Sequence, residues 1–184
     1  MPESIPASLI IDTLKDTFRE ARAARAAEGW GKPAGDHLGW ILSVPDTHQK
    51  TVLAALDKEP DKQRGIRVLT CATEDEANGI AAGLWIGGEP VVVMIQHAGL
   101  YASVNTLRGI AMDGKVPIFY LIGLLSREKD KDLHESRHSM VRFAEPLLDT
   151  FGVPHARLEG PGHTGEVADH HQDAEEPELI EADQ

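Results

Sequence analysis

Three consecutive acids, Glu74, Asp75 and Glu76, open a run rich in Ala and Gly that favours a helix. A carboxylate at the mouth of such a helix can act as a proton donor or acceptor in catalysis. The structural alternative is that all three acids only complement the helix dipole, each contributing about 0.3–1 kcal/mol. Gly79 and Gly83 each cost about 1 kcal/mol relative to Ala. Close approach of another backbone or of a flat ligand would explain them.

Other polar side chains follow predicted strands. Asp46 comes directly after one apolar run, and Gln96 and His97 come directly after another. Because the carboxyl ends of parallel strands meet at one edge of a sheet, this pattern predicts that these groups lie near Glu74. Each also has a structural explanation. Asp46 can be a helix N-cap, while Gln96 and His97 can satisfy backbone groups of a loop.

Histidines offer a weaker sign of a metal site. His134 and His138 are four residues apart, a spacing that would place both on one face of a helix. Two histidines without a third ligand do not define a site, and solvated loop histidines explain them as well. Three more histidines, His163, His170 and His171, lie in an acidic C-terminal stretch. A metal-binding protein therefore stays open as the least favoured of three functional hypotheses.

The elements that must position these residues alternate between strands and helices. Continuous apolar runs predict strands at 38–44, 66–71, 91–96 and 116–124, and a last short strand near 155–158. Apolar spacing and turn residues predict helices at about 8–27, 46–58, 74–86, 99–112 and 139–151, with a loop at 126–137. Buried strands separated by helices predict a doubly wound, mostly parallel α/β sheet with helices on both faces.

Charge and composition narrow the class of protein. The 184 residues carry a formal net charge of −12, and nine of the acids lie in 159–184, a stretch without Lys or Arg. We expect one domain over 1–158 and a disordered acidic tail over 159–184. The nearly balanced body argues against binding to nucleic acid or anionic membranes. No signal peptide or membrane span is predicted, and the single Cys71 suits a reducing cytoplasm.

Four stretches in order carry a resemblance to a known family. They are Val44-Pro45-Asp46, the Glu74 helix up to Gly83, Met94 to Leu100 followed by Asn105, and Leu147 to Pro154. Over about residues 8–158 the chain resembles the pyrimidine-binding domain of thiamine diphosphate enzymes. Within them it is most similar to the sulfopyruvate decarboxylase α subunit and phosphonopyruvate decarboxylase.

The resemblance implies roles for individual residues. Glu74 matches the glutamate that hydrogen-bonds N1′ of the aminopyrimidine. Asp46, His97 and His138 match positions near the substrate, which gives an implied catalytic set with Glu74. The implied cofactor-binding residues are Glu74, Gln96, His97, Gly99, Leu100 and Asn105. No metal ligand is implied in this chain.

The sequence also departs from the family pattern. Relatives read Gln-Asn-Ser-Gly-Leu-Gly-Asn where this chain has Gln96-His97-Ala98-Gly99-Leu100-Tyr101-Ala102. Recognition of a sulfonate or phosphonate is therefore not implied, although Arg127 or Arg137 can bind an anionic group. The Gly-Asp-Gly motif that holds Mg²⁺ and the diphosphate does not occur in this sequence.

These features predict a subunit that contributes half of a cofactor site. We expect the α subunit of a thiamine diphosphate-dependent 2-oxo acid decarboxylase, a lyase. A separate β subunit holds the Mg²⁺ and the diphosphate in a hetero-oligomer such as α2β2. The alternatives are a carboligating lyase subunit and a non-catalytic, flavodoxin-like binding module, because fold alone does not fix function.

Overall fold

The computed structural model describes residues 4–30, 35–45, 49–58, 65–128, 130–165 and 167. Within them the chain forms a sheet of four strands in the order β2-β1-β3-β4. The strands are β1 Gly39–Ser43, β2 Ile66–Thr70, β3 Val91–Gln96 and β4 Phe119–Gly123. Every pairing is parallel, which confirms the predicted fold class.

Helices connect these strands. They are α1 Ala7–Ala27, α2 Lys50–Asp57, α3 Glu74–Ile86, α4 His97–Ala102, α5 Val104–Thr106 and α6 Ser139–Phe151. A π-helical segment, Leu107–Met112, continues α5, and short 3₁₀ turns occur at Leu133–Glu135 and Pro161–His163. The bounds of α3 and α6 match the predicted helices. The predicted helix at 99–112 is instead three pieces that begin at His97.

The core has two parts, one on each face of the sheet. On one face, Phe18 of α1 and Leu56 of α2 pack with Met94 of β3. On the other, Ala77 of α3 and Leu148 of α6 belong to a cluster with further strand side chains. Complete burial of a side chain such as Leu or Phe contributes about 1.5–3 kcal/mol. Helices therefore cover both faces, as the continuous apolar strands predict.

The N-terminus of α3 is defined by its own side chains. The Thr73 hydroxyl accepts a hydrogen bond from the Glu76 N–H at 3.2 Å, the pattern of an N-cap. Glu76 Oε2 accepts from the Ala72 N–H at 2.6 Å. At the other end, Gly88 has a φ of 79°, a left-handed conformation that suits glycine and ends the helix. The first turn, which carries Glu74, is thereby fixed in place.

The prediction of a fifth strand is wrong. Residues 155–158 form no strand, and a cavity of about 540 Å³ lies between this segment and β4. Arg157 instead makes a bidentate ion pair with Glu145 on α6, which draws the segment toward that helix. Pro154 also removes a backbone donor at the point where a strand would begin.

Part of the predicted acidic tail falls within the structure. The 3₁₀ turn Pro161–His163 lies in it, and Val167 is buried in the core beside α1 and α2. The prediction of disorder for 159–184 otherwise concerns residues outside the described ranges.

Candidate functional site

A small cavity of about 90 Å³ opens at the carboxyl ends of β1 and β3. The chain runs outward from β1 to β2 and then crosses back over β1 to β3, so its winding direction reverses between β1 and β3. Ligands of open α/β sheets bind at such a reversal point. The cavity is lined by Val44, Pro45, Glu74, Gln96, Ala98 and Gly99.

Glu74 and Gly99 make the closest contact at this cavity. Glu74 is half-buried at the start of α3, and its carboxyl group lies directly against the Gly99 backbone on α4. A Cβ atom built on Gly99 would lie 2.6 Å from Glu74 Cδ and would overlap the carboxylate. Glycine is thus required here for close approach, rather than for an unusual backbone angle.

The structure separates the three acids of the first turn of α3. Asp75 Oδ1 accepts a hydrogen bond from the Thr106 hydroxyl at 2.6 Å, and Glu76 closes the helix N-terminus through Ala72. Glu74 is the acid that lines the cavity. Two acids therefore have structural roles, whereas the third is directed at a site where a ligand can reach it.

The remaining residues of the predicted site fall into different environments. Gln96 lines the cavity beside Glu74. His97 is completely buried and Leu100 packs in the core on the α3 face of the sheet, so neither faces the cavity. Asn105 is exposed and accepts a hydrogen bond from Arg108 at 3.2 Å. Asp46 lies outside the described residues, immediately after Pro45.

The two histidines before α6 do not line this cavity. His138 directly precedes α6 and its Nε2 accepts a hydrogen bond from Arg137 Nε at 3.2 Å. His134 is exposed in the 3₁₀ turn. Throughout the described part of the chain, no three side chains of His, Cys, Asp or Glu group closely enough to hold a metal ion.

The arginines considered as anion ligands are both engaged in ion pairs. Arg127 pairs with Glu159, and Arg137 Nε lies 3.8 Å from Glu128 Oε1. Arg127 also lines the larger cavity along β4, whose walls are mainly apolar side chains of β4 and α6. That cavity does not include Glu74 or Gln96. The smaller cavity is therefore the better candidate for chemistry, although the larger one has more volume.

Comparison with known proteins finds relatives in the family that the sequence resembles. Sulfopyruvate decarboxylase subunit alpha of Methanococcus maripaludis is 28% identical over 118 residues, 64% of this chain and 67% of that protein. The protein of the same name from Methanothermobacter thermautotrophicus is 27% identical over 135 residues, which are 73% of this chain and 77% of that protein. This chain is a distant homologue of sulfopyruvate decarboxylase α subunits. The family resemblance predicted from the sequence is thereby confirmed.

A further relative is phosphonopyruvate decarboxylase of Streptomyces viridochromogenes. It is 32% identical over 109 residues, which cover 59% of this chain but 26% of that longer protein. No protein-family model and no solved structure matches the sequence. The homology to sulfopyruvate and phosphonopyruvate decarboxylases therefore rests on direct sequence similarity.

Three polar residues of this decarboxylase homologue that were not predicted from the sequence contact the strands and the helix that carry the site. Gln49 is buried, and its Nε2 donates to the carbonyls of Ile95 in β3 at 3.0 Å and Leu121 in β4 at 2.8 Å. Asn78 of α3 is buried and accepts a hydrogen bond from the Tyr120 hydroxyl of β4 at 2.7 Å. Asn78 lies on the inner face of a helix rich in small residues, a pattern that can be seen in the sequence. Nothing in the sequence indicates the position of Gln49.

Proposed function

We propose that this chain supplies the aminopyrimidine half of a thiamine diphosphate site in a 2-oxo acid decarboxylase. The observation that carries the proposal is the Glu74–Gly99 contact at the cavity between β1 and β3. Distant homology to sulfopyruvate decarboxylase α subunits supports it. The family resemblance of the sequence also assigns Glu74 to the cofactor.

The residues at the cavity fit one half of such a cofactor. Complete pockets for small molecules measure roughly 300–1,000 Å³. A cavity of about 90 Å³ is therefore too small to enclose a whole cofactor. It offers a carboxylate from Glu74, an amide from Gln96, and apolar contact from Val44 and Pro45. One flat ring with polar edges matches this set of groups better than a diphosphate does.

Four of the six lining residues have a part in the proposed mechanism. Thiamine diphosphate, when bound, supplies the electron sink that allows a 2-oxo acid to lose carbon dioxide. Glu74 holds or shares a proton with a ring nitrogen, and its place in the rigid first turn of α3 fixes the direction of that hydrogen bond. Gly99 leaves the space for the carboxylate. Gln96 and Pro45, which line the same cavity, would contact the ring and exclude water from it.

The rest of the cofactor site would come from a partner. Relatives carry the name subunit alpha, and this supports a β subunit that binds the diphosphate and Mg²⁺ in a hetero-oligomer such as α2β2. We place the complex in the cytoplasm, because Cys71 is a buried free thiol, which suits a reducing compartment. Across the described residues, no helix has the length and apolarity needed to cross a bilayer.

The test compares two variants of one helical turn in the complex with the partner subunit. Glu74→Gln removes the proton-transfer group and should lower turnover by roughly 10²–10⁴-fold. Glu76→Gln makes the same change of charge two residues away, outside the cavity. Its amide oxygen can still accept from the Ala72 N–H, so turnover should stay near that of the wild type. Carbon dioxide release from a panel of 2-oxo acids, including sulfopyruvate and phosphonopyruvate, is the measurement. Equal rates for the two variants would exclude Glu74 from the mechanism.

A carboligating lyase is the second candidate. Ala98 lines the cavity at the position where the resembling decarboxylases have Ser, so this part of the wall offers a methyl group in place of a hydroxyl. Products analysed after adding an aldehyde to the same reactions distinguish the two activities. A new carbon–carbon bond indicates ligation, and the free aldehyde of the 2-oxo acid indicates decarboxylation alone. A non-catalytic module would give neither product with any acid in the panel.

A further inference from the structure

The hydroxyl of Thr106 lies at the centre of a hydrogen-bond network beside the cavity. Thr106 Oγ1 accepts from Asn78 Nδ2 at 2.9 Å. The same oxygen lies 2.6 Å from Asp75 Oδ1 and 3.0 Å from the Ser103 carbonyl oxygen. A hydroxyl has one proton to donate, and the charged carboxylate is the closer and stronger acceptor. The network therefore joins the first two turns of α3 to the end of α5.

The helical backbone joins Thr106 to Ser103, three residues earlier, where the Leu107 N–H donates to the Ser103 carbonyl at 2.9 Å. Ser103 in turn contacts Gly99. Ser103 Oγ donates to the Gly99 carbonyl at 2.7 Å, and the Ser103 N–H donates to the same oxygen at 3.0 Å.

The network also reaches β4, where the Tyr120 hydroxyl donates to Asn78 Oδ1 at 2.7 Å. Asn78 is fully buried, one turn after Glu74. Both partners of the Glu74–Gly99 contact are thus tied to the same set of side chains.

We propose that Thr106 is a positioning residue that holds the first turn of α3 and the Gly99 backbone in the arrangement that directs Glu74 at its ligand. This inference rests on the proposed function of Glu74. Thr106 does not line the cavity and acts through its hydrogen bonds with Asp75 and Asn78 of α3 and through the helical backbone that links it to Ser103. It adds to the reaction a residue that the resemblance does not assign.

The arrangement of donors and acceptors makes the hydroxyl difficult to replace. Without it, the buried Asn78 Nδ2 group loses its acceptor, and an unsatisfied buried donor is costly. Asp75 loses a charge-assisted hydrogen bond at the same time. Asn78 and Asp75 would then readjust independently of the Gly99 segment. A displacement of the carboxylate by even 1 Å matters, because misplacement of this size can cost about 100-fold in rate.

The decisive pair of variants is Thr106→Val and Thr106→Ser. Valine has nearly the same shape without the hydroxyl, whereas serine retains the hydroxyl and loses only a methyl group. In the full chain alone, hydrogen exchange at the Ser103 amide should be roughly five- to tenfold faster in Thr106→Val, as expected for a weakened local hydrogen-bond network. Exchange in β1 should not change. Thr106→Ser should restore slow exchange at Ser103.

In the complex, Thr106→Val should lower kcat by roughly 10- to 100-fold with little change in KM for the 2-oxo acid, because misorientation affects the reacting geometry. Thr106→Ser should recover most of that rate. If Thr106→Val leaves both Ser103 exchange and kcat unchanged, the positioning role is overturned. Thr106→Ala also removes the hydroxyl and gives the same comparison should Thr106→Val not fold.

The two proposals fail in different ways. If Glu74→Gln is fully active, the proposed function fails whatever Thr106 does to hydrogen exchange. If Glu74→Gln is inactive while Thr106→Val has normal exchange and normal kcat, the function stands and the positioning inference is wrong.

Discussion

The backbone of Gly99 touches the carboxyl group of Glu74, with no space between them for a methyl group. Gly99→Ala would therefore push the end of a flexible side chain out of its place rather than disrupt the core. We expect turnover of the complex to fall sharply. The unfolding free energy should stay within about 1 kcal/mol of the wild type, because Ala favours the helix by roughly that amount. Kinetics and urea denaturation measure the two effects separately.

Gly109→Ala is the matched control for that variant. Gly109 also lies in a helical segment, and a Cβ built on it meets nothing within 4 Å. Turnover should be retained there. Equal losses in Gly99→Ala and Gly109→Ala would show that the contact with Glu74 is not the cause.

Burial at Tyr120 gives a prediction for alkaline pH. Removal from solvent raises the pKa of Tyr120 far above its ordinary value of 10, and the hydrogen bond with Asn78 only partly opposes this. The folded state then keeps a proton that the unfolded state loses, so the unfolding free energy should fall as pH rises above about 10. Tyr120→Phe should flatten this dependence. Denaturation at several alkaline pH values measures it, and an unchanged slope in Tyr120→Phe would contradict the assignment.

A second titrating group, His37, lies just before β1, at the amino ends of the central strands. Glu89 is buried and accepts from His37 Nε2 at 3.0 Å and Arg22 Nη2 at 3.1 Å. Burial lowers the pKa of His37 below its ordinary value of 6.5, and the attraction of Glu89 does not fully offset it. The unfolded state therefore binds more protons just below pH 6.5, and stability should fall as pH drops through this range.

His37→Gln tests this dependence, since glutamine can donate a hydrogen bond but does not titrate. The fall in unfolding free energy below pH 6.5 should be smaller in this variant than in the wild type. Urea denaturation at matched pH values gives the comparison. A steeper fall in the variant would show that other groups dominate.

Two glycines on the exposed side of α3 give a stability prediction. Gly79 and Gly83 are exposed, and a Cβ atom on either meets nothing within 4 Å. Each change to Ala should therefore raise the unfolding free energy of the full chain by roughly 0.5–1 kcal/mol, the entropic cost of glycine in a helix. Thermal and urea unfolding measure it. A loss of stability would reveal crowding at this face of the helix.

The parallel sheet and its helices could be predicted because burial on both faces leaves a direct mark on composition. β3 is buried along nearly its whole length, and the sequence shows this as an unbroken apolar run. The rule that strand ends share an edge also anticipated the meeting of Glu74 and Gln96, which now line one cavity. These features follow from local sequence combined with one topological principle.

Other features depend on contacts that the sequence does not express. Gln96 ends β3 and His97 begins α4, so the two adjacent side chains point in different directions. The imidazole ring of His97 is completely buried. Residues 155–158 contain enough apolar character for a strand. The ion pair between Arg157 and Glu145 determines their path instead. Both outcomes are set by tertiary packing, which overrides local preference.

The cavity draws its walls from residues after β1, at the start of α3, and from the end of β3 into α4. During synthesis on a ribosome, a nascent chain that ends before Val91 can form β1 and β2 but lacks β3, the strand on the other side of β1. The cleft is complete only when β3 and the start of α4 are in place, so ligand recognition depends on a strand that follows β1 by about 50 residues.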